Sequence, residues 1–248
     1  MNPWVIKFGG SLLSDAKARR AFLRQAAALS RRRPLVLVHG GGPEINAALE
    51  KQRIKPVFLK GRRVTDDATM AVVEQVLSGQ VNKALVGELA GLGAKAVGLS
   101  GRDGGLLRAS PLRGLGRVGE PRASNPAVLR ALWKSGFLPV ISSVAAGPKR
   151  EALNVNADDA AAAIAVALRA DRLVFLTDVP GVLDAARKTI PVVRCGQIRA
   201  LIDVGVITGG MIPKTQSCKR AIERGVREID IIDGRAGLLK MKGTRLLP

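Results

Sequence analysis

Two lysines in this chain stand beside glycine runs, and that pairing sets the chemistry to look for. Lys7 opens Lys7-Phe-Gly-Gly-Ser11, and Lys214 follows Gly209-Gly210. A third run, His39-Gly-Gly-Gly-Pro43, contains the single histidine. Glycine lets backbone N–H groups come close to a ligand, and a helix starting just beyond it presents free donors and the positive end of its dipole. One Gly-Gly is an ordinary tight turn. Three such runs, two with a lysine beside them, point to phosphate binding. The chain has no Gly-Lys dipeptide, so it carries no P-loop. Gly114-Leu-Gly116-Arg-Val-Gly119 matches GxGxxG by letters, but it lies in a Pro/Gly/Arg-rich stretch with no strand before it or helix after it. Asp158 and Asp159 follow Asn156 at a helix start. They either offset the helix dipole, worth about 0.3–1 kcal/mol each, or orient the lysines; spacing leaves both open.

The glycine runs need strands and helices to hold them. Trp4–Phe8 and Pro34–Val38 read as buried strands, and a helix follows each: Asp15 to Ser30, then Pro43 to Lys51 with proline in its first turn. A basic irregular stretch leads to a long helix from Asp66 to about Leu92, ended by Gly91 and Gly93. Ala96–Leu99 is a strand, and residues 100–124 read as loops or short hairpins. Asn125-Pro126 opens a helix to about Ser135, and Phe137–Ser142 is a strand. Asn156 caps an alanine-rich helix to about Leu168, apolar nearly all round and so expected to be buried. Leu173–Thr177 is a strand, Gln197–Val204 a short helix, and Met211–Arg224 a helix reached after the apolar pair Val206-Ile207. Glu228–Ile232 and Thr244–Leu247 close the chain. Short apolar strands alternating with helices predict an α/β fold with a mainly parallel sheet. The loop-rich stretch near 143–152 is the expected boundary between lobes 1–150 and 151–248. Lys7 sits in an otherwise apolar strand, so its charge is paired or reaches solvent, unless the strand is an edge.

Composition removes other classes of function. The 248 residues are 47% hydrophobic, too apolar for a disordered chain. Two cysteines cannot make a disulfide scaffold, and one histidine cannot supply a multi-histidine metal site. No apolar run approaches the roughly 18–20 residues that span a bilayer, and the first strand is too short for a signal-peptide core, so the expectation is a soluble, cytoplasmic protein. Five Phe, two Trp and no Tyr leave few platforms for stacking bases. The formal charge is +20, of which +11 lies in residues 1–63. It fits either a solvated basic face or an anionic partner.

The ordered motifs resemble those of the acetylglutamate kinases, of the amino-acid kinase superfamily. They are Val5-Ile-Lys-Phe-Gly-Gly-Ser11, Val38-His-Gly-Gly-Gly42, Gly61-Arg-Arg-Val-Thr-Asp66, Val97-Gly-Leu-Ser-Gly-Arg-Asp-Gly-Gly105, Asn154-Val-Asn-Ala-Asp158, Leu176-Thr-Asp-Val-Pro-Gly-Val-Leu183 and Gly209-Gly-Met-Ile-Pro-Lys214. The resemblance runs from residue 3 to Gly243-Thr-Arg245, and Arg-Val-Thr, Asn-Val-Asn-Ala-Asp and Gly-Gly-Met-Ile-Pro-Lys are its specific part. It implies an open αβα sandwich and ATP-dependent phosphorylation of the side-chain carboxylate of N-acetyl-L-glutamate, in arginine biosynthesis. It implies that Lys7 and Lys214 stabilise the transferring phosphoryl group and that Asp158 holds both lysines. It further implies that Gly41, Gly42, Arg63 and Asn154 would bind the acyl substrate, on the N-terminal lobe. Asp178, Val179, Pro180, Gly181, Val182 and Leu183 contact the nucleotide on the C-terminal lobe, as do Val206, Ile207 and Thr208, with Gly9, Gly10 and Gly210 near the phosphates. Mg²⁺ rides on the nucleotide phosphates, with no dedicated metal site on the protein. Arg62 is read as solvated, and His39 as at most a cap on its glycine loop.

Arginine-inhibited members carry an extra helix before the first strand. This strand begins almost at Met1, so the expectation is a homodimer insensitive to arginine. The rival readings are a related kinase acting on an amino acid carried by an acidic protein, with the basic N-terminal lobe as docking face, and a nucleic-acid-binding protein on a degenerate kinase scaffold.

Overall fold

The computed structural model describes residues 2–59, 61–238 and 241–248. Its strands are β1 (Trp4–Phe8), β2 (Leu35–His39), β3 (Val57–Leu59), β4 (Arg62–Val64), β5 (Ala96–Ser100), β6 (Leu107–Pro111), β7 (Val118–Ser124), β8 (Leu138–Ser142), β9 (Val144–Ala146), β10 (Ala152–Val155), β11 (Arg172–Thr177), β12 (Val192–Arg194), β13 (Glu228–Asp233) and β14 (Gly243–Leu247). Its α-helices are α1 (Ser11–Ser14), α2 (Ala16–Ser30), α3 (Gly42–Lys51), α4 (Asp67–Glu74), α5 (Asn82–Gly91), α6 (Ala127–Lys134), α7 (Ala157–Leu168), α8 (Ile198–Asp203) and α9 (Met211–Glu223).

Eight strands form one sheet in the order β12-β14-β13-β11-β1-β2-β8-β5. The six from β13 to β5 are mutually parallel; β14 runs against β13. Side chains alternate between two apolar cores, because a strand has period two. Val5, Val36, Val38, Ile141, Leu173 and Phe175 join Ala161 and Ala165 of α7 on one face. Ile6, Phe8, Leu37, Val140 and Val174 join Phe22 and Leu23 of α2 and Leu85 and Leu89 of α5 on the other. This is the expected αβα sandwich. The strand order reverses at β1, with β2 on one side and β11 on the other. In such sheets ligands bind over the C-terminal strand ends at that reversal. β1 is therefore central, and Lys7 is not on an edge.

Capping follows the sequence. Asp15 accepts hydrogen bonds from the Lys17 and Ala18 N–H groups ahead of α2, and Asn156 caps α7. The long helix after Asp66 is continuous, but a π-helical turn over Gln75–Val81 separates α4 from α5. Leu77, in that turn, lies against Gly41, where a Cβ would lie 2.7 Å from Leu77 Cδ2.

The segments between the main elements refine the sequence reading. The basic stretch before Asp66 contains the β3–β4 hairpin. Residues 100–124 contain the β6–β7 hairpin, one of the short hairpins expected there; it closes with β9 and β10 into a four-stranded unit, so 143–152 is not simply loop. β3, β4, β9 and β10 have only three or four residues each, too short for alternation to show. The literal GxGxxG forms the β6–β7 turn. Gly116 has φ +69°, and its Cβ would meet Thr65 O at 2.2 Å, so this glycine serves a backbone contact. Finally, the Val206 and Ile207 N–H groups both donate to Leu201 O at 2.9 Å, which folds this apolar pair back on α8.

Candidate active site

Strand alternation places Lys7 on the same face as Val5, one step beyond the last apolar layer and facing the start of α7. Asn156 Oδ1 accepts from the N–H groups of Asp158 (2.8 Å) and Asp159 (3.3 Å), so both carboxylates lie in the first turn of that helix. Asp158 Oδ1 lies 2.9 Å from Lys7 Nζ. Asp158 Oδ2 accepts from Lys214 Nζ, which reaches it from the N-terminal end of α9. The Lys214 ammonium also sits 5.0 Å above the ring of Phe175, the β11 neighbour of Lys7. Burial alone would raise the Asp158 pKa, but the two ammonium groups outweigh it and hold the carboxyl well below the usual carboxylate range. The cluster is thus one carboxylate holding two lysines, with a net charge of +1.

Beside Lys7 opens a cavity of about 320 Å³. Gly9, Gly10, Gly41, Gly42, Arg63 and Asn154 all line it, as do Phe58 and Arg62. Arg63 is buried on β4. Its Nη2 donates to Asn46 Oδ1 at 2.6 Å, and its guanidinium carbon lies 4.8 Å from the Phe58 ring centre. Burial lowers its pKa. Its Nη1 is also buried and has no hydrogen-bond partner among the described residues. A desolvated guanidinium nitrogen with a free donor suits a carboxylate. Asn154 Nδ2 donates to Thr65 Oγ1 at 3.1 Å, which fixes the amide.

His39 belongs to the opposite face, beside Phe8. It is fully buried, and burial lowers its pKa to about 4, so it is neutral. Asn82 Nδ2 is 3.0 Å from Nε2 and can only donate, which leaves Nδ1 to carry the proton and donate to Gly40 O at 2.9 Å. His39 is therefore a brace for the glycine loop.

The residues nominated for the nucleotide fall on two loops, one after β11 and one before α9. Arg235 Nη2 donates to Asp178 O at 3.0 Å, and Val179 N donates to Thr177 Oγ1 at 2.9 Å. Pro180, Thr208 and Gly210 are exposed, Gly181 is buried, and Leu183 pairs with Thr189 across the loop. Val206 is half-buried. Val182 and Ile207 send their side chains into the core, so only their backbone is left to meet a ligand.

The sequence reading of Arg62 as solvated is corrected. Its Nη2 donates to Asp159 Oδ2 at 3.2 Å. Asn46 and Phe58 were not foreseen either, and neither carries a local sequence signal.

The model of the amino acid kinase family matches residues 2–233. An acetylglutamate kinase of Endomicrobium trichonymphae is 47% identical over 240 residues, covering 97% of this chain and 96% of that one. An acetylglutamate kinase of Dinoroseobacter shibae is 48% identical over 235 residues, covering 94% and 82%. The crystal structure of smu.665 from Streptococcus mutans UA159 superposes with a TM-score of 0.88 at 32% identity, covering 99% of this chain and 98% of that one. The chain therefore belongs to the amino acid kinase family, in the group that holds the acetylglutamate kinases.

Proposed function

We propose that the chain transfers the γ-phosphoryl group of ATP to the side-chain carboxylate of N-acetyl-L-glutamate, a step of arginine biosynthesis that yields N-acetylglutamyl 5-phosphate and ADP. The observation that carries this is Asp158 holding Lys7 and Lys214 beside a cavity lined by Arg63, whose buried Nη1 has no partner among the described residues. The acceptor has a pKa of about 4 and is already ionised at pH 7, so no general base is needed. Its oxygen forms a bond to the γ-phosphorus, and the bond from that phosphorus to the bridging oxygen breaks, with the electron pair leaving on ADP. The difficulty is electrostatic, since an anion approaches an anion. Lys7 and Lys214 offset that charge, and Asp158 positions them.

Arg63, Asn154, Gly41 and Gly42 hold the acyl substrate. Gly9, Gly10 and Gly210 lie near the phosphates, and the 178–183 and 206–208 segments take the nucleotide through backbone and exposed atoms. Bound Mg²⁺ supplies further charge neutralisation. In this reading the ion is carried mainly by the nucleotide phosphates. The reading assigns dimerisation and the acyl substrate, apart from its Asn154 contact, to residues 1–150, ATP to residues 151–248, and a cytoplasmic homodimer to the whole. No helix of the described residues is long and apolar enough to cross a membrane.

The test is ADP release with Mg-ATP and N-acetyl-L-glutamate, with free L-glutamate and buffer in parallel. Turnover with the acetylated acid alone is expected. Folded, nucleotide-binding protein inactive on both would sink the proposal. It would favour the acidic-carrier reading, for which the +11 charge of residues 1–63 is the observation.

A further inference from the structure

Asp158 and Asp159 are consecutive on α7, and each carboxylate joins a cation on the strand side of the site to α9. Asp158 joins Lys7 to Lys214. Asp159 joins Arg62 of β4, at 3.2 Å, to Ser217, whose Oγ donates to Oδ1 at 3.1 Å; Arg220 Nη2 is 3.9 Å from the same oxygen. Ser217 and Arg220 are on the helix that carries Lys214, and Ser217 is one turn beyond it.

Arg62 also lines the acyl cavity next to Arg63. Its Nη2 is committed to Asp159, while its Nη1 is buried with no partner among the described residues. A guanidinium is a rigid fork, so one group can serve Asp159 and a ligand acceptor at once. We propose that Arg62 and Asp159 form a second bridge across the site, which couples an anionic ligand in the acyl cavity to the placement of α9 and so of Lys214. This rests on the kinase reading above. An acceptor that takes Nη1 fixes the guanidinium, fixes Asp159 through Nη2, and restrains Ser217 and Arg220. By linkage the acid and the nucleotide then raise each other's affinity by one factor. Arg62 and Asp159 are positioning residues: the bridge acts through Lys214.

The experiment is calorimetric titration of Mg-AMP-PNP with and without saturating N-acetyl-L-glutamate, with turnover measured in parallel. Wild type is expected to bind the nucleotide about fivefold to tenfold more tightly when the acid is present. Arg62→Met and Asp159→Asn should each bring that ratio close to one, and the double variant no lower. Arg62→Lys keeps a cation for Asp159 but has no second nitrogen for the ligand. It should hold the wild-type Tm and still lose the coupling, a split that a purely structural ion pair does not produce. A full ratio in Arg62→Lys or Arg62→Met overturns the bridge, as does wild type that turns over with a ratio of one; in all three the kinase reading stands. Wild type that binds the nucleotide but neither binds nor phosphorylates the acid removes the kinase reading, and the bridge with it.

Discussion

The two sides of the site are built differently. Around the cavity proposed for the acyl substrate, the groups that would touch it are held by other side chains: Arg63 by Asn46 and Phe58, Asn154 by Thr65, and the Gly41 backbone by Leu77. On the nucleotide side the nominated residues lie on loops anchored from below. Val182 and Ile207 are sunk in the core, and Pro180, Thr208 and Gly210 face outward. A small dicarboxylate offers few atoms, so recognising it takes a few strong, desolvated contacts. A nucleotide spreads its contacts over many atoms, and backbone can meet most of them. Single side-chain substitutions should therefore matter most on the acyl side and at the lysine pair between the two.

The lysines give the largest expected effect. Lys7→Met and Lys214→Met should each lower kcat by about 10²–10³ at saturation with both substrates, as loss of one preorganised charge does. A Lys214 variant that loses only nucleotide affinity would break the symmetry between them. Next comes Arg63→Gln, which should raise KM for the acyl substrate about 10–100-fold, with a much smaller change in KM for ATP. Equal changes in both would erase the contrast between the two sides.

Stability against pH sharpens the contrast further. The folded-state pKa of Asp158 lies below its ordinary value of 3.8. Its stabilisation is therefore complete above about pH 4 and is lost as pH falls further. Asp158→Asn should lower Tm at pH 7 and remove that acid limb from a denaturation series. His39, with a folded pKa of about 4 against 6.5, favours the folded state fully above pH 6.5. Below that pH the unfolded chain takes up the proton first, so stability falls by roughly 3 kcal/mol as pH drops from 6.5 to 4. His39 should leave no inflection near pH 6.5 in kcat. The smallest expected effect is on thiol chemistry. Cys195 and Cys218 are buried, and burial pushes both thiols up. Iodoacetamide at pH 7.5 should label neither until the protein is unfolded.

Much of this was legible in the chain because it depends on local pattern. The apolar runs around Lys7 and His39 specify central strands, and Asn156 specifies where α7 begins, so Lys7 and Asp158 meet at the C-terminal ends of the central strands. The partner of Asp159 was not legible. Arg62 and Asp159 are 97 residues apart, and nothing near either one marks the pair. The β3–β4 hairpin that brings Arg62 there has three-residue strands, and β3 is exposed, so no alternation of burial betrays it. Val182 and Ile207 show the opposite failure. Family motifs mark them as nucleotide contacts, but only packing reveals that their side chains face the core.

The most direct test of phosphoryl transfer to a carboxylate is to trap the product. An acyl phosphate reacts with hydroxylamine to give a hydroxamate, whereas a phosphate ester does not. Mg-ATP and N-acetyl-L-glutamate with wild-type protein should give hydroxamate and ADP in equal amounts, and Lys7→Met and Lys214→Met should depress both together. ADP release without hydroxamate, or hydroxamate undiminished in the lysine variants, would contradict a carboxylate acceptor served by Lys7, Asp158 and Lys214.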